Sequence, residues 1–200
     1  MTHFAAFGYG SLVNADTLPA ATMARTATIH GWRRAWRVAG SSPKGNRCSL
    51  TVVPDADCTI TGVVIAQPLH KKSGLDKREG WYRATPVVET GLTWLEDAPA
   101  SWPQIAEPVG IFTAKDEHAR SGDADHPVML SYIDTVIAGY RARFGEAGVA
   151  HFLETTTDWH VPIFNDRANP CYPRAVALSQ AEQDDVDSHL AALKVTIIHR

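Results

Sequence analysis

The two halves of this chain carry different hydrophobic periodicities. The first half contains short runs rich in Thr, Val and Ile, such as Cys48–Val53 and Thr59–Ala66, which are typical of strands. From Pro127 onward, apolar side chains recur at spacings of three and four, which predicts a helix with one apolar face through Phe144. Strands followed by helices indicate the α+β class, and we predict a small mixed β-barrel with flanking helices.

The strand-rich half is punctuated by turn-forming residues. The cluster Pro54–Asp57 separates the two runs named above, and this arrangement predicts a β-hairpin. Another strand is predicted over Thr26–Ala39, broken at Gly31. A further strand is predicted over Trp81–Val88, where Pro86 indicates the edge of a sheet or an irregularity.

The remaining elements are shorter. Pro108–Thr113 predicts one more strand, and Gly148–Thr156 predicts a second helix. Ser179 followed three residues later by Glu182 forms a capping-box pattern, which predicts a last helix through about Leu193. Val195–Ile198 predicts a closing strand.

Composition restricts the class of protein. With 200 residues, 44% of them apolar and 20% charged, the sequence is typical of one soluble globular domain covering residues 1–200. A net charge of −3 gives no reason to expect nucleic acid or an anionic membrane as a partner. The sequence shows neither a membrane-spanning apolar run nor a secretory signal, so we expect a cytoplasmic protein, whose oligomeric state stays open.

Cysteine and histidine patterns point away from metal chemistry. The three cysteines show no C-x-x-C spacing and the nine histidines no H-x-x-x-H pair, so we predict neither a metal site nor a cofactor. Reduced thiols are expected, although the residues alone leave a Cys48–Cys58 bridge open.

An apolar run near the N-terminus ends in a glycine-punctuated loop. Phe4–Phe7 is followed by Gly8, Tyr9, Gly10, Ser11 and Leu12. A buried strand that feeds such a loop clusters backbone N–H groups without Cβ obstruction, which suits an anion or a developing oxyanion. The same residues are also consistent with a tight turn alone. A dinucleotide fingerprint is excluded because Val13 occupies the place of its third glycine.

Glu79 is the second candidate, because it precedes Gly80 and the aromatic pair Trp81-Tyr82. A carboxyl held against aromatic rings has its charged form disfavoured, so its pKa rises toward the range of a general base. The alternative is that residues 76–79 form a solvated charged turn with local ion pairs.

Three elements together resemble the gamma-glutamylcyclotransferase superfamily. They are the loop Tyr9–Leu12 after an apolar strand, the segment Leu75-Asp76-x-x-Glu79-Gly80 before an aromatic strand, and Ser131-Tyr132 with Gly139 seven residues after the tyrosine. They follow the family's order across residues 4–145. Each is short and common alone, and the combination is more specific than any one of them.

The resemblance implies a compact mixed barrel that cyclises a γ-glutamyl group to 5-oxoproline and releases an amine, amino acid or peptide without a cofactor. It implies that Glu79 is the catalytic acid–base. It also implies that Tyr9, Gly10, Ser11, Leu12 and Tyr132 bind the small-molecule γ-glutamyl substrate.

Alternatives stay open at this level. In the glutathione-specific branch the loop commonly continues with Ile-Trp, whereas Val13-Asn14 follows here, which weakens a glutathione assignment. A non-catalytic binding protein of the same fold and a generic α+β domain are the competing interpretations. The role of residues 146–200 and the identity of the γ-glutamyl compound are not determined by the sequence.

Overall fold

The computed structural model describes residues 2–42, 45–87 and 91–199. Within these ranges, ten strands form one mixed sheet and three α-helices pack with it, which confirms the α+β class. The strands are β1 His3–Gly8, β2 Met23–Ser42, β3 Gly45–Pro68, β4 Tyr82–Pro86, β5 Leu92–Trp94, β6 Gly110–Ala114, β7 Val128–Met129, β8 Thr156–Thr157, β9 Ile163–Phe164 and β10 Ile197–Ile198.

A long antiparallel ladder between β2 and β3 forms the centre of the sheet. Its pairing runs from Met23 opposite Ala66 to Ser42 opposite Gly45. The predicted hairpin between Cys48–Val53 and Thr59–Ala66 is therefore wrong, because both segments belong to β3 and both pair with β2.

The residues that predicted a turn form an irregularity in β3 instead. His30 pairs with Thr59 and Trp32 pairs with Pro54, so residues 55–58 of β3 lie opposite Gly31 alone. Gly31 has a φ of +87°, a conformation that glycine adopts without the cost of a Cβ. Turn-forming residues are compatible with a bulge as well as with a hairpin turn. Here a bulge forms because β2 is long enough to pair with the segments on both sides of it.

The strands β4, β6 and β10 lie close to their predicted positions, whereas β5, β7, β8 and β9 were not predicted. The strand predicted over Trp81–Val88 is β4, and Val88 lies outside the described residues. β4 is the last strand on its side of the sheet, which confirms the edge that Pro86 indicates. β6 and β10 correspond to the strands predicted over Pro108–Thr113 and Val195–Ile198. One continuous mixed sheet is compatible with the predicted barrel, although the described ladders include no pair that closes it.

The helices are α1 Lys72–Arg78, α2 Leu130–Glu154 and α3 Gln180–Ala192. α2 combines the two helices that the sequence predicts separately, and the junction is Gly145, whose φ of 64° and ψ of −164° interrupt the helical geometry. At the start of α3, the Ser179 and Glu182 side chains each accept from the other's backbone N–H, which confirms the capping box.

The core lies between the sheet and α2. The predicted apolar face of α2 is fully buried at Ile133, Val136, Ile137 and Tyr140. No helix among the described residues is long and apolar enough to cross a membrane.

All three cysteines are free thiols. Cys48 and Cys58 lie ten residues apart on the single strand β3, so at about 3.3 Å per residue they are far beyond disulfide distance.

α2 approaches the chain that follows β1 most closely at Gly139. A Cβ at Gly139 would lie 2.6 Å from the backbone nitrogen of Asn14 and 2.7 Å from its Cα. Helix and loop backbone are therefore in direct contact, and only glycine fits between them.

We expect Gly139→Ala to lower the free energy of unfolding by about 1–3 kcal/mol, because backbone atoms must move to admit the methyl group. Gly74→Ala in α1 is the matched control, since no atom lies within 4 Å of a Cβ at that position. The control should be neutral or stabilising by up to about 1 kcal/mol through helix propensity. Urea denaturation of both variants measures the difference, and equal stabilities would contradict the close contact.

Candidate active site

Three sequence motifs meet at two adjoining cavities. β1 ends at Gly8 and leads into the loop, α1 ends at Arg78 directly before Glu79, and α2 places Tyr132 in its first turn. Ser11, Glu79 and Tyr132 line both a larger cavity of about 300 Å³ and a smaller one of about 40 Å³. The smaller cavity is also lined by Tyr9, Gly10 and Leu12, so every site residue that the sequence singled out lies here.

Glu79 is the one carboxylate among the described residues that line the two cavities. Its side chain is 16% exposed, and its Oε1 lies 3.1 Å from Nε of Arg78 in an ion pair. Burial raises the pKa of Glu79 above its ordinary value, while the nearby Arg78 and Arg174 oppose that rise only in part. The solvated-turn alternative therefore fails for Glu79, although the local ion pair it foresaw is present.

The Tyr9–Leu12 loop lines the smaller cavity with its backbone. The Tyr9 hydroxyl donates to the carbonyl of Phe112, so the ring of Tyr9 is tied to β6. The Leu12 side chain is buried against Gly8. These two side chains support the loop, whereas Gly10 and Ser11 bring main-chain atoms to the smaller cavity.

Tyr132 contacts the loop with its hydroxyl. A Cβ added at Gly10 would lie 2.7 Å from the Tyr132 oxygen, and the neighbouring Ser11 backbone partly offsets the rise in the pKa of this hydroxyl. Burial is the main reason that the pKa of Tyr132 is raised, so the hydroxyl stays protonated at neutral pH. Tyr132 and Gly139 are seven residues, or about two turns, apart on α2, which explains why both face the same loop.

Basic side chains surround the larger cavity. Its lining includes Arg47, Lys77, Arg78 and Arg174. The Arg47 guanidinium lies 4.6 Å from the centre of the Trp81 ring, and that of Arg174 lies 5.2 Å from the Tyr172 ring. Sequence reasoning missed Arg47, and it could not place Tyr172 and Arg174, because no local pattern connects β3 with residue 174.

Asp166 attaches the segment that carries Tyr172 to the start of α2. Its carboxylate accepts from the Ser131 N–H at 2.8 Å, from the Ser131 hydroxyl at 2.6 Å and from the Cys171 N–H at 2.8 Å. Part of residues 146–200, which the sequence left unassigned, thus forms one wall of the cavity.

Comparisons with known proteins give a fold. No family model matches the chain, and no curated protein matches its sequence. A solved structure described as a gamma-glutamyl cyclotransferase superposes with a TM-score of 0.58 at 13% identity, covering 93% of this chain and 99% of its own. The chain has the gamma-glutamyl cyclotransferase fold.

Two further solved structures are similar to this gamma-glutamyl cyclotransferase fold. An uncharacterised protein from Homo sapiens matches with a TM-score of 0.58 at 12% identity, covering 94% of this chain and 99% of its own. YkqA from Bacillus subtilis matches with a TM-score of 0.52 at 17% identity, covering 78% of this chain and 56% of its own. At these identities the comparisons establish architecture, and chemistry has to be argued from the site.

A cluster of metal-ligand types lies at residues that line neither cavity. Ligand atoms of Glu146, Asp185 and His189 come within 4.8 Å of one another. Arg141 forms ion pairs with both carboxylates, at 2.6 Å from its Nε to Glu146 and by a second contact to Asp185. One guanidinium already pairs with both carboxylates, so the cluster forms an ion-pair network between α2 and α3.

We expect the pKa of the Glu79 carboxyl, followed by NMR of a ¹³C-labelled side chain, to lie above 4.5, the ordinary value. Arg78→Met should raise it further, because the positive charge favours the ionised form. Arg83→Met is the control, since Arg83 lies on β4 and pairs with the exposed Asp116. A Glu79 pKa at or below 4.5 would show that burial does not dominate.

Proposed function

We propose that this protein is a cofactor-independent gamma-glutamylcyclotransferase-type lyase, which cyclises a γ-glutamyl group to 5-oxoproline and releases an amine. The observation that carries the proposal is the position of the buried Glu79 carboxyl. It shares a small cavity with the backbone of Gly10 and Ser11, in a gamma-glutamyl cyclotransferase fold.

The substrate supplies its own nucleophile. The α-amine attacks the γ-carbonyl carbon, a carbon–nitrogen bond forms, and the bond from that carbon to the departing nitrogen breaks. Since both groups belong to one molecule, ring closure has the advantage of high effective molarity, up to about 7–11 kcal/mol in the best-oriented cases. A catalytic serine, cysteine or metal is not required for this step.

Glu79 fits the role of the proton carrier. Its carboxylate takes a proton from the attacking nitrogen and returns one to the departing nitrogen, so its own protonation state is restored after each turnover. A pKa above the ordinary range brings both protonation states closer to equal population near neutral pH, which suits a group that must act as base and then as acid.

Backbone N–H groups of the loop fit the developing oxyanion. Gly10 has no Cβ to block close approach. The Ser11 backbone acts to lower the pKa of the Tyr132 hydroxyl, which means that it favours negative charge on a nearby oxygen. Loss of one such donor in an enzyme of known mechanism costs about 3–4 kcal/mol of transition-state stabilisation.

The basic side chains of the larger cavity indicate which γ-glutamyl compounds are preferred as substrates. Four cationic side chains and one carboxylate line the larger cavity, and Arg174 lies close enough to Arg47, Arg78 and Glu79 to influence their pKa values. A γ-glutamyl group brings one α-carboxylate. We propose that Arg174 and Arg47 bind a second carboxylate on the departing amine, so that γ-glutamyl amino acids or peptides are preferred over neutral γ-glutamyl amines.

We expect Glu79→Gln to reduce turnover by about 10²–10⁴, because the amide keeps shape but cannot carry the proton. The variant should keep its melting temperature at neutral pH. Because the pKa of Glu79 is raised in the folded protein, its contribution to folding stability is fully present below pH 4.5 and is lost as the pH rises through the pKa of the folded state. The uncharged glutamine therefore avoids the free-energy cost of burying an ionised carboxylate at neutral pH.

The readout is 5-oxoproline detected by mass spectrometry from a panel of γ-glutamyl compounds. Asp76→Asn is the matched control, since Asp76 is exposed on α1, three residues before Glu79, and lines neither cavity. Wild-type turnover by the Glu79→Gln variant would remove Glu79 from the mechanism, and no product from any compound with the wild type would refute the proposed reaction.

The substrate preference is tested with γ-glutamylglycine and γ-glutamylmethylamide, which differ in one carboxylate. We expect Arg174→Gln to raise the KM for γ-glutamylglycine by roughly 10–100-fold, the value of a charge-assisted hydrogen bond, and to leave that for the methylamide unchanged. Arg83→Gln is the control. Equal losses with both substrates would show that Arg174 binds the α-carboxylate instead.

A further inference from the structure

Arg34 is a fully buried cation in the centre of the protein. Among the described residues no carboxylate lies within ion-pair distance of it, so its charge is balanced by neutral oxygens and aromatic rings. Burial of an ion costs several kcal/mol unless its donors are all satisfied. Because burial of this charge costs free energy, we ask which role of Arg34 other than packing offsets that cost.

The partners of Arg34 come from four different parts of the chain. Its Nε donates to the Tyr9 carbonyl at 3.0 Å and one terminal nitrogen donates to the Tyr140 hydroxyl at 2.6 Å. The remaining donors contact the Thr155 hydroxyl and the Thr61 carbonyl. Arg34 therefore links β2 to the Tyr9–Leu12 loop, to β3, to Tyr140 in α2 and to Thr155 directly after α2.

Two of these groups converge on one carbonyl. The Tyr9 oxygen accepts from Arg34 and also lies 2.9 Å from the Tyr140 hydroxyl, whose single proton is shared between this oxygen and that of Thr61. The described residues contain no cis peptide bond. In a trans peptide the N–H points opposite to the C=O, so the Gly10 N–H points away from Arg34.

The rest of the loop is consistent with that orientation. The Gly10 carbonyl accepts from the Val13 N–H at 3.0 Å, and the Ser11 carbonyl accepts from the Asn14 N–H at 3.1 Å. Both carbonyls are thus occupied by the turn, whereas the Gly10 N–H has no acceptor among the described residues. Gly10 lines the smaller cavity together with Glu79.

We propose that Arg34 and Tyr140 are positioning residues, which fix the plane of the Tyr9–Gly10 peptide so that the Gly10 N–H is directed into the cavity. The orientation rests on the contacts above. The use of this N–H as an oxyanion donor rests on the proposed function.

Tyr140→Phe and Thr155→Val separate positioning from structural support. Each variant removes one hydroxyl that Arg34 contacts, but only the Tyr140 hydroxyl also contacts the Tyr9 carbonyl. Both variants preserve the shape of the side chain, and both leave the Arg34 guanidinium in place. Similar melting temperatures are expected for the two.

We expect kcat to fall about tenfold or more in Tyr140→Phe, with KM for a γ-glutamyl substrate changed less than about threefold, because a misdirected donor is felt mainly in the transition state. Thr155→Val should retain kcat within about threefold. Equal losses of kcat in the two variants would reduce Arg34 to a structural cross-link and overturn the proposal.

A second readout does not depend on catalysis. In ¹⁵N-labelled protein we expect the Gly10 amide resonance to shift strongly in Tyr140→Phe and little in Thr155→Val. If the wild type forms no 5-oxoproline, the proposed function fails while this comparison still tests the positioning. An unchanged Gly10 resonance in a folded Tyr140→Phe variant would overturn the positioning even in an active enzyme.

Discussion

The burial of Arg34 is the constraint on which the rest of the structure depends. A guanidinium without a carboxylate partner is tolerated only where enough oxygens converge on it, and here they come from Tyr9, from Thr61 in β3, from Tyr140 and from Thr155 directly after α2. Each of these elements must be in place before the charge is satisfied. Sheet, loop and helix are thereby held in one relative arrangement.

The cost of burying a charge also governs the cavity, where the buried group is an anion instead of a cation. Glu79 is a buried carboxylate whose partners, Arg78 and Arg174, only partly offset the cost of removing it from water. Full neutralisation would lock the carboxylate in its ionised form, and complete isolation would keep it protonated. We propose that Glu79 is a reversible proton carrier, and such a group requires an intermediate balance.

Local patterns predicted α3, both parts of α2 and several strands, but they did not predict α1, the short strands β5, β7, β8 and β9, or how the strands pair. The capping box of Ser179 and the apolar face through Ile133 were correct because they depend on residues within two turns. Pro54–Asp57 predicts a hairpin turn, whereas in the structure Pro54 pairs with Trp32 and residues 55–58 form a bulge opposite Gly31. That choice depends on β2, which pairs with both flanking segments and competes with their pairing to each other.

The sequence by itself determined the α+β class and brought Gly10 and Glu79 forward as candidates from the chemistry of short motifs, whereas Tyr132 came forward through the resemblance to a known family. Only the tertiary structure decided that these motifs share one cavity. It alone added Arg47, Arg174 and Arg34, which come from distant parts of the chain. The physical reason is that electrostatic environment and burial arise from neighbours in space, and a linear pattern does not record those neighbours.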